Sequence, residues 1–185
     1  MEEEAQRPEP AEAEIDFDRG SDLPVVGIGA SAGGLAAIRA FFESMPAQNG
    51  MAFVVVMHLS AKHESNADKI LQRSTRMPVV QVEGRTPLQP DHVYVISPRQ
   101  HLQAMDGCLE VVPAPGRKGP NIAIDVFFRT LAEAHRDRAL GVILSGTGAD
   151  GTLGIARLKE LGGVTLAQLP EDSEYEDMPR NAINS

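Results

Sequence analysis

Twelve residues near the start of the chain, Leu23-Pro-Val-Val-Gly-Ile-Gly-Ala-Ser-Ala-Gly-Gly34, restrict the fold more than any other stretch. From Leu23 to Ala30 no polar residue alternates with the apolar ones, so a strand here must be covered on both faces, as in a parallel sheet. From Gly33 to Ser44 the period changes. Leu35, Ile38, Phe41 and Phe42 share one helical face, and Pro46 ends the helix. A buried strand that passes through small residues into a helix is the opening of a βα unit.

The rest of the chain repeats that alternation. Met51–Met57, Val79–Val82, Val93–Ile96, Ala139–Leu144 and Val164–Ala167 read as short buried strands. Helices are expected over 66–74, with Ser65 as N-cap, and over 124–136 and 150–161. Asp106-Gly107 between 101–105 and 108–112 predicts a β-hairpin, and Pro113 to Pro120 a loop. The expected fold is a single α/β domain, three-layered and doubly wound, with a mostly parallel sheet and one hairpin. Phe127, Phe128 and Leu131 are assigned to its core, as is the single cysteine, Cys108.

Residues 1–22 stand apart. They hold nine acidic residues against Arg7 and Arg19, few large apolar side chains, and most of the net charge of −9. Such a segment buries too little to offset its ordering entropy and is expected to be a disordered acidic tail or linker, with 23–185 as the domain. The nearly neutral remainder offers no basic footprint for nucleic acid. The acidic N-terminus, the lone cysteine and the lack of a run of roughly 20 apolar residues point to a soluble cytoplasmic protein without membrane insertion.

In doubly wound sheets, chemistry collects at the carboxyl ends of strands. Ser31 follows the first strand, His58 the second, and Asp150 lies in the Gly-rich loop after the strand 139–144. A serine hydroxyl needs a base to become a nucleophile, imidazole supplies one near neutral pH, and a carboxylate orients the ring. Gly29-Ala-Ser31-Ala-Gly33 also has the G-x-S-x-G form of a strand-to-helix turn that presents a hydroxyl. The helix start there offers N–H groups to an oxyanion, Ala32 first. The order Ser…His…Asp is not that of an α/β-hydrolase. Two alternatives remain open. Gly27-Ile-Gly29-Ala-Ser-Ala32 fits a dinucleotide fingerprint, though no carboxylate closes the second strand. A purely structural reading makes Ser31 and Asp150 helix N-caps and His58 a polar strand end. His63, His92, His101 and His135 lack metal-ligand spacing and are assigned to the surface or to loops.

Five ordered segments carry a resemblance: Gly27–Gly34, Val56-Met-His-Leu-Ser60, Ile124-Asp-Val-Phe-Phe128, Leu144-Ser-Gly-Thr-Gly-Ala-Asp-Gly151 and Met178-Pro-Arg-Asn-Ala-Ile183. Over residues 23–185 the chain resembles the CheB-type chemotaxis methylesterase domain, in particular the variants fused to a receptor methyltransferase, often with sensory domains. The resemblance implies a Ser31, His58, Asp150 triad that hydrolyses glutamate γ-methyl esters on chemoreceptors, with glutamine deamidation as a related activity. It implies no metal or organic cofactor, and it places Ala32, Gly33 and Thr147 around the oxyanion and substrate. A non-catalytic signalling module of the same fold is the competing implication. Ala32, Thr147, Ala149 and Asp177 stand where the family often has Thr, Met, Asn and Gly. The family's usual receiver domain has no counterpart in residues 1–22. The family also usually continues past the position of Ser185, so an uncovered sheet edge or apolar surface is expected.

Overall fold

The computed structural model describes residues 22–58, 66–96, 100–113 and 122–185. The apolar runs become six strands of one sheet: β1 (Val25–Ala30), β2 (Ala52–Met57), β3 (Val79–Val82), β5 (His92–Ile96), β8 (Ala139–Ile143) and β9 (Val164–Ala167). Their order is β3-β5-β2-β1-β8-β9, with every pairing parallel. Helices α1 (Gly34–Glu43) and α2 (Ala67–Gln72) share one core with one face of this sheet, and α3 (Ala123–His135) and α4 (Thr152–Glu160) share a second core with the other. Two cores on two faces make the three layers expected of alternating strands and helices. A smaller antiparallel sheet, in the order β4-β7-β6, is built from β4 (Thr86–Pro87), β6 (Gln100–Met105) and β7 (Cys108–Pro113). The β6–β7 turn is Asp106-Gly107, with Gly107 at φ 73°. Cys108 is buried in β7.

Side-chain alternation along β1 decides what each face can accept. Val26, Ile28 and Ala30 pack with Ile38, Phe42 and Leu71 on the α1 side. Gly27 and Gly29 face the other way, where α3 lies so close that a Cβ at Gly27 would come within 2.9 Å of Phe127, Phe128 and Leu131. A Cβ at Gly29 would likewise meet Ile124, Ile143 and Phe128. These glycines therefore serve the close packing of α3 on β1.

Several expectations need correction. His101 and His135 are not surface residues: their exposures are 7 % and 0 %. β6 turns His101 inward, and the His135 Nε2 lies 3.2 Å from the Met105 carbonyl, which gives a core imidazole its polar partner. The last long helix starts at Thr152 and not at Asp150, because Gly151 breaks the approach with φ 94°. A fifth helix, α5 (Asp177–Ile183), was not read as an element; at seven residues it is too short for a clear period. Ser65, the tail over 1–21, His63 and most of the loop after Pro113 lie outside the described residues. At the β9 edge, Val164 and Leu166 are about half exposed.

Two measurements check this packing. Gly27→Ala is expected to lower stability by about 1–3 kcal/mol, the usual penalty of overpacking a core, read from denaturant unfolding. Burial pushes the His135 pKa down, and Arg138 acts the same way. The fold therefore holds the neutral ring, while the unfolded chain binds a proton near pH 6.5. That contribution is complete above this pH and is lost as pH falls below it. Stability is expected to decline from pH 7 to pH 5, with a shallower slope in His135→Gln.

Candidate active site

Parallel pairing does most of the assembly. Ala30 and Met57 end the β1–β2 ladder side by side, and the His58 N–H donates to the Ala30 carbonyl at 3.2 Å. Ser31 and His58 thus leave the sheet from neighbouring positions. On the other flank of β1, the Leu144 N–H donates to the Gly29 carbonyl at 2.9 Å, so the loop after β8 also leaves beside Ser31. The chain moves from β1 to β2 on one side and returns as β8 on the other. The carboxyl end of β1 is therefore a topological switch point, the usual place for a ligand crevice.

Ser31 sits in a tight turn. Its N–H donates to the Ser145 carbonyl and its carbonyl accepts from Gly34, both at 3.0 Å. Gly33, at φ 71°, is the N-cap of α1, and no side chain caps that helix. The structural reading of Ser31 as an N-cap is thereby corrected: a left-handed glycine starts α1 and the hydroxyl is left over. At the same end, the N–H groups of Ala32 and Thr147 donate to no backbone carbonyl among the described residues. Ala32 and Gly33 are half-buried and Thr147 is exposed.

Asp150 is held from behind. Its Oδ2 accepts the Ile124 N–H at 3.0 Å and its Oδ1 accepts the Asp125 N–H at 2.9 Å. These N–H groups belong to the first turn of α3, which has no carbonyl of its own to give them. The N-cap reading of Asp150 is half right, since the carboxylate caps α3 and not the helix that follows it. A charge-assisted hydrogen bond is worth about 1.5–3 kcal/mol, so two of them fix the carboxylate firmly. Its Oδ2 lies 2.8 Å from the His58 Nε2, with side-chain exposures of 6 % and 19 %. The distance is that of a charge-assisted contact, although the ring N–H is turned off the line to the oxygen. The Ser31 hydroxyl makes no hydrogen bond to the ring among the described residues. Such contacts are often long until substrate closes the site.

Three more residues complete the surroundings, none of them singled out from the sequence. His101 is close enough to the pair that Asp150 and His58 act on it in opposite senses, but burial dominates and pushes its pKa down. The buried Ser145 hydroxyl donates to the Ala32 carbonyl at 2.9 Å and accepts the Tyr175 N–H at 3.0 Å. It thereby ties the serine turn to the segment before α5. Met178, 1 % exposed, fills the space over Gly146, where a Cβ would overlap its sulfur and come within 3.0 Å of the Ser31 Cβ. The position of Ser145, directly after an apolar strand, was the available signal. Among the described residues, no group of three or more His, Cys, Asp or Glu could hold a metal ion.

Comparison with known proteins places the chain in a family. The family model described as CheB methylesterase matches residues 26–185. A Leptospira interrogans protein, named for protein-glutamate methylesterase and protein-glutamine glutaminase activities, is 32% identical over 159 residues, covering 85% of this chain and 82% of that one. An uncharacterized 104.1 kDa protein of Rhodobacter capsulatus is 40% identical over 114 residues, which are 62% of this chain and 12% of that one. The chain spans about half the length of several other curated relatives. The crystal structure of the Thermotoga maritima CheB methylesterase catalytic domain superposes with a TM-score of 0.80 at 25% identity, covering 88% of each chain.

Ser145→Ala would remove the buried hydroxyl that accepts the Tyr175 N–H and donates to the Ala32 carbonyl. The expected cost is about 1–3 kcal/mol, measurable as a lower Tm.

Proposed function

The chain belongs to the CheB methylesterase family, and on that premise we propose that Ser31, His58 and Asp150 form a triad that hydrolyses glutamate γ-methyl esters on chemoreceptors. The observation that carries the reading is the Asp150 carboxylate, pinned by two N–H groups and set 2.8 Å from the His58 ring beside Ser31. The curated relatives named as methylesterase and glutaminase support the same substrate class, with glutamine deamidation as the parallel reaction.

In this reading the Ser31 hydroxyl attacks the ester carbonyl while the ring nitrogen of His58 turned away from Asp150 takes its proton. The tetrahedral oxyanion is met by the Ala32 N–H, with Gly33 and Thr147 lining the same space. Collapse expels methanol, which carries the proton from His58, and leaves a glutamyl ester on Ser31. His58 next deprotonates a water, whose oxygen attacks the acyl carbon; the glutamate carboxylate departs and Ser31 regains its proton. Asp150 orients the ring and stabilises the imidazolium formed twice in the cycle. For a glutamine substrate ammonia leaves in place of methanol.

The partners are methyl-accepting receptors, and the setting is the cytoplasm, where a lone cysteine stays reduced. The Rhodobacter relative, of which the shared segment is 12%, supports a longer parent protein, and methyltransferase or sensory domains in that parent are part of the proposal. Methanol release from methylated receptor membranes tests the reaction. Ser31→Ala is expected to lower turnover by at least about 10³-fold, as loss of a triad member does. Equal rates from the two proteins would exclude the triad.

A further inference from the structure

The mechanism leaves one buried acid unused. Asp125, 8 % exposed, lies in the first turn of α3, where it neither caps its own helix nor reaches solvent. Its Oδ1 accepts the Gly154 N–H at 2.8 Å, in the first turn of α4. Its own N–H donates to Asp150, two residues before α4 begins. The two helices therefore cap each other crosswise: Asp150 fills the open N–H groups of α3, and Asp125 fills one of α4. Contact is close enough that a Cβ at Gly154 would meet the Asp125 carbonyl oxygen at 3.0 Å and collide with the Phe128 Cβ.

We propose that Asp125 is a positioning residue for the reaction, whose carboxylate locks the start of α4 and so holds Asp150 against His58. The proposal rests on the triad reading. Without the Gly154 bond, the first turn of α4 loses its polar tie to α3, and the short link Gly151 to Gly154 carries any displacement of that turn to Asp150. An Asp150 displaced from His58 stabilises the imidazolium less, so the ring becomes a weaker base.

The groups facing this cluster are Asp150 from the loop after β8, His58 from the end of β2, His101 from β6, and Arg129 one turn along α3. None of them is changed in the test. Methanol release from methylated receptor membranes is measured across pH for the wild type, Asp125→Ala, Asp125→Asn and Ser31→Ala. For Asp125→Ala the expected result is a kcat about tenfold or more lower, with KM within about twofold, and an acid limb of kcat/KM displaced to lower pH by about half a unit or more. Asp125→Asn keeps an oxygen for the Gly154 N–H and is expected to recover most of the kcat. Partial unfolding alone would cut activity most at acid pH, where the fold is weaker, and move the limb to higher pH instead.

A wild-type kcat and pH profile in folded Asp125→Ala overturns the proposal, as does an asparagine variant no better than the alanine one. If the alanine variant does not fold, Asp125→Glu decides, since its extra methylene moves the carboxylate off Gly154. The same fall in kcat and displaced limb support positioning, and a wild-type profile overturns it. Full activity in Ser31→Ala would instead sink the triad reading itself, so the two failures are separable.

Discussion

The close seating of α3 on β1 is the constraint from which the rest of the structure follows. It is possible because Gly27 and Gly29 present no side chain to Phe127, Phe128, Leu131 and Ile124. Gly141 does the same for Ile155 and Leu158 of α4. With both helices pressed against the sheet, their first turns come together at its carboxyl edge. There two buried carboxylates meet the unpaired N–H groups that every helix start leaves. Asp150 faces α3 and Asp125 faces α4. Burial, followed by the neighbouring Asp150 charge, raises the pKa of Asp125, while the Gly154 hydrogen bond and Arg129 oppose the rise. Two such acids are tolerable at close range because backbone dipoles and a nearby cation share their charge.

Strand order converts that local arrangement into a site. Because β1 lies between β2 and β8, residues more than a hundred positions apart leave the sheet side by side. Ser145 then joins the two sides, its backbone carbonyl on the Ser31 N–H and its hydroxyl between Ala32 and Tyr175. Met178 closes the floor beside Ser31. The Ser31 turn is thus braced by β8 and by the segment leading into α5, and His58 and Asp150 by β2 and α3. Ser31 caps no helix, and the Asp150 carboxylate that caps α3 also lies 2.8 Å from the His58 ring.

All six strands of the main sheet, four helices and the hairpin were legible in the sequence because each has its own local signal: an unbroken apolar run, a helical period or cap residue, an Asp-Gly turn. Ser31, His58 and Asp150 could be nominated because they follow strands in an alternating chain. His101 and His135 were misassigned to the surface for lack of such a signal, since a buried neutral imidazole looks like any other histidine until a carbonyl such as that of Met105 is found beside it. Asp125 and Ser145 were passed over for the same reason. Their partners, Gly154 and Ala32 with Tyr175, lie 29 to 113 residues away.

Residue order by itself determined the layered α/β class and the end of the sheet at which Ser31, His58 and Asp150 gather, because periodicity and turn residues act over a few neighbouring positions. Only the tertiary structure decided that Gly27 and Gly29 make room for a helix. It also decided which helix Asp150 caps and that a second aspartate returns the contact. Those outcomes depend on how closely two packed surfaces approach, and that separation is set by all their side chains together.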